Sequence, residues 1–371
     1  MRNRKDKIKV LTVGNHKSVK GGITSVIQQI LSFDWNAVGV DMYFIPTYIS
    51  GSLIKRIIFY IIAYIKIYFI IKRYNIDIVH IHMSYKGSFF RAFLIHKLCR
   101  KNNVTDIVHL HGSEFKSWYE STRVSTQLKV KQMLRECSSF IVLGNKWNSV
   151  VKQIEPTVTT SIISNSVHVS FKSAKWSQNK FQILFLGVLI KRKGIHDLLN
   201  ALGLLKKNNQ LKNLKVIIAG SGPEKSQLLK LTDSLGLSDI VDFVGWTDDS
   251  NKESYFLDSQ ILVLPSYNEG LPIAILEALS YGLPIIASSV GDVPYAVEHS
   301  INGFLFLPGD VNNLAEYIFM LSSDKSLYEK MSISSKKIAI RKFSDTVFFD
   351  NLLHNYQNLL KKSTVQNINK L

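Results

Sequence analysis

The chain has few cysteines and no long uninterrupted apolar segment. Only Cys99 and Cys137 occur among its 371 residues, so the sequence offers no disulfide framework, which is typical of a reducing compartment. The N-terminus is basic but leads from Val13 directly into Gly14 and Asn15, without the apolar region and cleavage site of a signal peptide. These features predict a cytoplasmic protein, and 46% hydrophobic residues are ample for two ordinary domains.

Acidic residues are scarce in the first half of the chain. Residues 1–180 hold 27 lysines and arginines but only 9 aspartates and glutamates, whereas residues 181–371 hold 19 of each. The formal net charge of +18 therefore lies in the first half. Compositional drift would be expected to spread over both halves, so we favour a basic surface that meets a polyanion, either nucleic acid or an anionic membrane.

The segment from Lys55 to Arg73 bears on that choice. Its apolar run over residues 57–71 is only 15 residues long and is interrupted by Lys66, so it is too short to span a bilayer. At about 100° per residue, Lys55, Lys66 and Arg73 share one side of a helix, and the other side carries Tyr60, Tyr64 and Tyr68. Either a buried helix extends its lysines to solvent, or the helix lies in a membrane interface. We favour the anionic membrane over nucleic acid as the partner.

Apolar segments typical of strands alternate with helical segments along the chain, which predicts an α/β fold with parallel sheets. The predicted strands are 8–13, 40–45, 78–82, 107–111, 140–143 and 161–163 in the first half, and 183–186, 216–219, 241–244, 261–264 and 284–287 in the second. The polar stretch 170–180 reads as a linker. We expect doubly wound domains over 1–169 and 181–343 that face one cleft, and a C-terminal helix over 344–371 that packs back towards the first domain.

Two carboxylates, Glu269 and Glu277, stand eight residues apart across the predicted start of a helix. Residues 261–264 read as a buried strand, and Pro272 suits the first helical position. A helix N-terminus at the carboxyl end of a parallel strand attracts anions. The carboxylates suit a polyol attached to that anion, as in a sugar nucleotide. Taken alone, such a pair is more often a cap and a solvated helix residue, and the neighbouring loops decide in favour of a site.

Three more loops that follow predicted strands have the residues of anion-binding turns. Paired glycines allow a close approach of backbone amides to phosphate, and basic side chains supply fixed positive charge. The loops are Lys20-Gly21-Gly22-Ile23, then Gly187 to Gly194 with Lys191, Arg192 and Lys193, and Gly220-Ser-Gly222-Pro223-Glu224. Each alone could be a tight turn or a solvated lysine run, but together they indicate a phosphate-binding site.

Histidines occur as two pairs, His80 with His82 and His109 with His111. On a strand each pair shares a face, and such pairs can bind zinc. No carboxylate cluster accompanies them, and buried neutral histidines are common, so we predict no metal site. His111, which Gly112 follows at the end of its strand, is best placed to enter the cleft.

In their order along the chain, these motifs resemble the retaining glycosyltransferases of family 4, which have the GT-B fold. The resemblance extends over nearly the whole chain, from Gly21-Gly22 through His111-Gly112 and Asn165 to the last helices. Its most specific motifs are Gly187 to Lys193-Gly194, Gly220-Ser-Gly-Pro-Glu224, Phe243-Val-Gly-Trp246, Pro265-Ser-Tyr-Asn-Glu269-Gly-Leu-Pro272, and Gly291-Asp-Val-Pro294 with Asn302-Gly303.

The resemblance implies a role for each matching position. Lys193 would neutralise the leaving phosphate, Glu269 would contact the transferred sugar, and His111 would lie beside that sugar. The implied donor-binding residues are Glu277 at the ribose hydroxyls, Gly270 and Leu271 through their amides, Val244 at the base, Gly22 and Gly222 near the phosphates, and Arg192. Arg192 is the candidate to replace a family arginine whose position is Val188 here. A second departure is Gly291-Asp-Val-Pro294-Tyr295, where the family has Gly-x-Pro-Glu.

The resemblance also implies a reaction. Family 4 enzymes transfer a sugar from a nucleotide-sugar with retention and without a required metal or cofactor, so we expect a hexose or N-acetylhexosamine from a UDP-sugar. The basic first half suits a glycan acceptor linked to polyprenyl diphosphate at the inner face of the plasma membrane, as in O-antigen, capsule or exopolysaccharide synthesis. The alternatives are a soluble family 4 enzyme acting on a small sugar and a non-catalytic GT-B binding protein.

Overall fold

A computed structural model describes residues 7–177, 179–247 and 249–368. The chain divides into two units. Residues up to Ser164 together with those from Phe348 onward form the first unit, and Asn165–Val347 form the second. Each unit is built around one six-stranded sheet in which neighbouring strands are parallel. The predicted α/β class with two parallel sheets is confirmed.

The strand order in each sheet defines where a ligand can enter. The strands are β1 Ile8–Asn15, β2 Val40–Tyr48, β3 Ile78–Met83, β4 Thr105–Leu110, β5 Ser139–Val142, β6 Thr160–Ile162, β7 Phe181–Leu186, β8 Leu214–Ala219, β9 Val241–Gly245, β10 Ile261–Leu264, β11 Ile285–Ser288 and β12 Gly303–Phe306. Their order is β2-β1-β3-β4-β5-β6 and β12-β11-β10-β7-β8-β9. The winding direction therefore reverses between β1 and β3 and between β7 and β10. In open parallel sheets, ligands bind beyond the carboxyl ends of the strands at such points.

Helices follow most strands and cover the sheets. They are α1 Gly22–Ser32, α2 Leu53–Tyr74, α3 Gly87–Lys101, α4 Phe115–Ser121, α5 Val124–Glu136, α6 Asn145–Ile154, α7 Ile195–Lys207, α8 Lys225–Ser234, α9 Asp249–Asp258, α10 Ile273–Ser280, α11 Val293–Ala296, α12 Val311–Ser323, α13 Lys325–Phe343 and α14 Asp345–Ile368. Single 3₁₀ turns lie at Trp35–Val38 and Lys191–Lys193.

All eleven predicted strands are present, with ends that shift by a few residues. One shift matters for the site: β4 ends at Leu110, so His111 lies just beyond the strand. The strand β12 was missed. It has only four residues and begins at Gly303 with φ 158°, and the sequence there resembles a turn because Asn302 precedes the glycine.

The predicted linker over residues 170–180 falls within the second unit. The amide of Ala174 donates a hydrogen bond to the carbonyl of Tyr281 at 2.9 Å. The ammonium of Lys336 donates to the carbonyls of Ser170 at 2.5 Å and Lys172 at 2.9 Å. The stretch lacks periodicity because hydrogen bonds to neighbouring helices, rather than a regular apolar face, hold it in place.

The helix α14 packs on the first sheet from Phe348 onward. The hydroxyl of Tyr356 lies 2.9 Å from Nδ1 of His80 on β3, and Asn355 donates to the hydroxyl of Ser161 at 2.6 Å. The rings of Phe349 and Phe33 stack with centroids 4.0 Å apart. The end of the chain therefore belongs to the core of the first unit.

The helix α2 has one buried and one exposed apolar face. Ala63, Ile67 and Ile71 are buried in the first core. The outward side chains are between 49% and 71% exposed, and they are Ile54, Ile57, Ile58, Ile61, Ile62, Ile65 and Phe69; we call them the α2 outer face. The interpretation as a buried helix therefore holds for one face of α2, and membrane contact of the other face stays a prediction. No helix in the described ranges combines the length and the apolarity needed to cross a membrane.

Candidate active site

The second unit has a charged cluster at the point where its strand order reverses. The loop after β7 carries Lys193, and the loop after β10 carries Glu269. The Lys193 ammonium lies 2.5 Å from a Glu269 carboxylate oxygen, and the two side chains are 15% and 8% exposed. The other Glu269 oxygen lies 3.9 Å from the Arg192 guanidinium. The structure thus brings two predicted site residues of one loop, Arg192 and Lys193, to a third, Glu269, which lies 76 positions after Lys193 in the sequence.

The backbone around this pair is closely packed. Gly194 ends the 3₁₀ turn and precedes α7, and its φ of +67° lies in the left-handed region. A Cβ at this position would lie 1.9 Å from the carbonyl oxygen of Pro265. Only glycine therefore allows the basic turn to approach the loop after β10 so closely.

The carbonyl groups of Asn268, Gly270 and Leu271 accept hydrogen bonds, which fixes their peptide planes. The Arg192 guanidinium donates to the carbonyl of Asn268. The amide of Asp292 donates to the carbonyl of Gly270 at 2.9 Å, and the side-chain amide of Asn165 donates to the carbonyl of Leu271 at 3.1 Å. Asn165 is buried. Asn165 belongs to the motifs that resemble family 4, but no role was predicted for it.

The helix α10 begins at Ile273, with Pro272 at the N-cap position rather than the predicted first helical position. Glu277 lies just over one turn into this helix and forms an ion pair with Lys252 of α9. Sequence reasoning missed Lys252, because α9 shows no motif around it. The pair leaves Glu277 partly accessible, with a side-chain exposure of 19%.

The glycine-rich loop after β8 packs against the loop after β7. A Cβ on Gly222 would lie 2.3 Å from the carbonyl oxygen of Leu189, and one on Gly220 would lie 1.8 Å from that of Gly187. The amide of Gly220 donates to the carbonyl of Gly245 at 2.7 Å. Gly222 is thus brought to the basic loop. Val244 lies at the end of β9, next to Gly245, and is 36% exposed.

Gly22 and His111 belong to the first unit. Gly22 is the first residue of α1, after Gly21 with φ 136°. His111 follows β4 and is partly exposed, whereas His80, His82 and His109 are buried. Burial lowers the pKa of His80 and of His111 to about 3, and it holds the pKa values of the other two well below the usual range. All four imidazoles are therefore neutral at pH 7.

The four histidines form two edge-to-edge pairs. His82 Nδ1 lies 2.9 Å from His111 Nε2, and their rings are inclined by 20°. His80 Nε2 lies 3.2 Å from His109 Nδ1, with the rings inclined by 4°. The two pairs lie face to face, since the centroids of His80 and His82 are 4.3 Å apart and those of His109 and His111 are 4.1 Å apart.

This geometry bears on the zinc hypothesis. Nitrogens of His80, His82 and His109 lie within 4.8 Å of one another. An imidazole binds a metal through a lone pair in the plane of its ring, and the lone pairs of stacked rings run side by side instead of converging. His80 and His109 also form a hydrogen bond with each other, which occupies one ring nitrogen of each residue. The set fits a hydrogen-bonded array better than a tetrahedral zinc site, and absence of a metal remains a prediction.

Most of the second unit is similar to a known protein family. Residues 168–338 match the family described as glycosyl transferases group 1. This segment is similar to that family over slightly less than half of the chain. The matched segment contains the loops 187–194, 220–224 and 265–277, and therefore Lys193, Glu269 and Glu277. Gly22 and His111 lie outside the matched residues.

Two relatives are similar over a longer part of the chain than this segment. An uncharacterized glycosyltransferase of Methanocaldococcus jannaschii is 29% identical over 255 residues, which are 68% of this chain and 63% of that protein. The chain thus spans under two thirds of that relative's length. The UDP-Gal:alpha-D-GlcNAc-diphosphoundecaprenol alpha-1,3-galactosyltransferase of Escherichia coli is 27% identical over 310 residues, which are 78% of this chain and 76% of that enzyme.

A solved structure shares the fold. HepE of Anabaena in complex with UDP is similar with a TM-score of 0.74 and 17% identity, over 95% of this chain and 100% of that chain. At this identity the likeness concerns the fold alone. It confirms the predicted GT-B class with two Rossmann-like units.

Proposed function

We propose that the protein is a retaining family 4 glycosyltransferase that moves a hexose or N-acetylhexosamine from a UDP-sugar to a glycan acceptor. The observation that carries the proposal is the pair Lys193 and Glu269 at the reversal of strand order, beside the N-terminus of α10. A cation and a helix N-terminus suit a diphosphate, and a carboxylate next to them suits sugar hydroxyls. The bound UDP of HepE and the UDP-Gal of the E. coli relative support the choice of donor.

In this proposal, each side chain acts on one part of the donor. Glu277 accepts hydrogen bonds from the ribose hydroxyls, and Lys193 meets the departing diphosphate together with the amides of Gly270 and Leu271. Arg192, held at the carbonyl of Asn268, supplies the positive charge that Val188 lacks. The diphosphate leaves on the face from which the acceptor hydroxyl attacks and takes its proton, so no carboxylate nucleophile is needed.

The remaining predicted residues complete the donor site in the proposal. The end of β9 at Val244 meets the base through its backbone, and Gly222 leaves room for the phosphates. The family resemblance assigns Gly22 of the first unit to the phosphates and His111 to the transferred sugar. Calorimetry with UDP and GDP on the full-length protein tests the nucleotide. We expect UDP to bind and Glu277→Ala to weaken binding, whereas tighter binding of GDP would contradict the choice of UDP.

The proposed mechanism requires no metal, which yields a prediction. Nucleotide release from the donor should survive an excess of chelator, because Lys193, Arg192 and the dipole of α10 neutralise the diphosphate. The measurement compares initial rates with and without chelator, and then after addition of Mg²⁺ or Zn²⁺. A complete loss that zinc restores would overturn the mechanism and favour a metal at the histidines.

We propose that the acceptor is linked to polyprenyl diphosphate and that the enzyme works at an anionic membrane surface, in O-antigen, capsule or exopolysaccharide synthesis. The diphosphoundecaprenol acceptor in the name of the E. coli relative supports the acceptor class. The surface that supports membrane contact is the α2 outer face. Lys55, Lys66 and Arg73 are exposed along its border, so apolar side chains can enter the lipid while cations meet headgroups.

The membrane proposal predicts binding to vesicles of phosphatidylcholine with phosphatidylserine, measured by co-sedimentation. Each basic residue near such a surface contributes about 1 kcal/mol, so replacing Lys55, Lys66 and Arg73 by Gln should weaken binding by more than tenfold. Replacing Ile58, Ile61 and Ile65 by Asn should also weaken binding, with less dependence on salt.

The matched control replaces Lys207, Lys225 and Lys230 by Gln, which removes three exposed charges from the second unit. That variant should bind vesicles like the unmodified protein. Equal binding of the α2 and control variants, or no binding at low salt, would contradict a membrane role for α2 and would favour a soluble acceptor.

A further inference from the structure

His82 has an unusual environment for a buried polar group. Its side chain is 6% exposed. Nδ1 lies in the hydrogen bond with His111 Nε2, whereas Nε2 is buried with no partner among the described residues. A neutral imidazole carries one N–H, so one of its nitrogens donates and the other accepts. The protonation of the unpaired Nε2 therefore determines whether His82 is the donor or the acceptor in its hydrogen bond with His111.

Two assignments of the protons are available. In one, His82 carries its proton on Nε2, which leaves a buried N–H without an acceptor. In the other, the proton is on Nδ1 and Nε2 keeps only an unused lone pair. Orphaned buried N–H groups are rarer in proteins than unsatisfied acceptors, so the second assignment is favoured. His82 then donates to His111 Nε2, and the proton of His111 must reside on its Nδ1.

We propose that His82 is a positioning residue that holds His111 in the Nδ1–H tautomer, so that His111 offers an N–H donor to a sugar hydroxyl. The inference rests on the proposed function, because that function places His111 beside the transferred sugar. The coplanar arrangement of the two rings fixes the direction of this N–H as well as its tautomer. His111 then acts as a hydrogen-bond donor to the ligand and not as a general base.

The tautomer can be measured without any substrate. Full-length protein labelled with ¹⁵N at histidine is studied by long-range proton–nitrogen correlation at pH 7, with His111 assigned from the His111→Asn spectrum. We expect His111 as the Nδ1–H form in the unmodified protein. Replacing His82 by Leu should convert a large part of it to the commoner Nε2–H form. An unmodified protein with His111 as the Nε2–H form would overturn the proposal.

Kinetics tests the positioning role separately. His82→Leu removes the donor, and the loss of one hydrogen bond should lower kcat about tenfold with a small change in the KM for the donor. His82→Asn keeps an N–H near the position of Nδ1 and should restore most of kcat. His80→Leu is the matched control, since His80 is equally buried on β3 but pairs with His109; it should keep kcat even if it lowers the melting temperature.

The outcomes separate the two proposals. An unmodified enzyme that turns over no nucleotide-sugar would refute the proposed function, whereas the tautomer of His111 would still be measurable. An active enzyme in which His82→Leu and His80→Leu have the same kcat would refute the positioning role and leave the function intact. If His82→Leu does not fold, the spectrum and kinetics of His82→Asn decide: a changed tautomer with normal kcat contradicts the proposal.

Discussion

Replacing Glu269 by Ala should lower the rate of sugar transfer by about a hundredfold or more, because it removes a buried charged contact to the reacting sugar. Replacing Lys193 by Ala should have an effect of the same order, since its ammonium meets the developing charge on the diphosphate. The two side chains are 2.5 Å apart, so the double variant should lose less than the product of the single losses. The measurement is the initial rate of nucleotide release in the presence of acceptor.

The loop that carries Lys193 provides its own control. Lys191 lies two residues earlier in the same 3₁₀ turn and is exposed, so Lys191→Ala should keep a rate close to that of the unmodified enzyme. Thermal unfolding of each variant separates a lost contact from a lost fold. Normal turnover in both Glu269→Ala and Lys193→Ala would show that the pair is not part of the transfer site.

The free energy of unfolding should fall markedly when the pH is lowered from 7 to 5. Burial lowers the pKa of His80 and of His111 to about 3 in the folded protein, whereas an unfolded histidine has a pKa of about 6.5. Below that value the unfolded chain binds more protons than the folded one, so stability is present above about pH 6.5 and is lost as the pH falls towards 3. At pH 5 the fully buried His80 should account for a loss of about 2 kcal/mol in the free energy of unfolding.

Urea unfolding of the full-length protein at a series of pH values checks this prediction. His80→Leu should have a shallower pH dependence than the unmodified protein, because one buried titrating group is gone. A stability that is constant between pH 7 and pH 5 would contradict the neutral histidine array.

The sequence indicated where the strands lie along the chain, but it did not indicate their order within the sheets. Apolar runs identified eleven strands, because strands buried on both faces carry little else. The four residues of β12 escaped because Gly303 imitates a turn. The α2 outer face could not be predicted with certainty, since an apolar helix gives the same pattern whether its second face meets protein or lipid. Only the structure shows Ile58 and Ile65 at the surface.

Motifs identified the residues of the candidate site, but its pairings depend on the fold. Lys193 and Glu269 meet because β7 and β10 are neighbours, an adjacency that no local pattern encodes. Lys252 and Asn165 contribute through single contacts to Glu277 and Leu271, and neither lies in a periodic or glycine-rich stretch that would indicate it. The proposed direction of the hydrogen bond between His82 and His111 rests on the unpaired Nε2 of His82, which no sequence pattern indicates.

The most direct test of the proposed activity is nucleotide release from a panel of UDP- and GDP-sugars, using purified full-length enzyme with and without a polyprenyl-diphosphate-linked glycan. We predict that one UDP-sugar gives UDP at a rate that rises strongly with the lipid-linked acceptor. We also predict that Glu269→Ala abolishes this rise and that the new bond keeps the configuration of the donor. Acceptor-independent rates for every donor in the panel, or an inverted product, would contradict the proposal that this chain is a retaining glycosyltransferase.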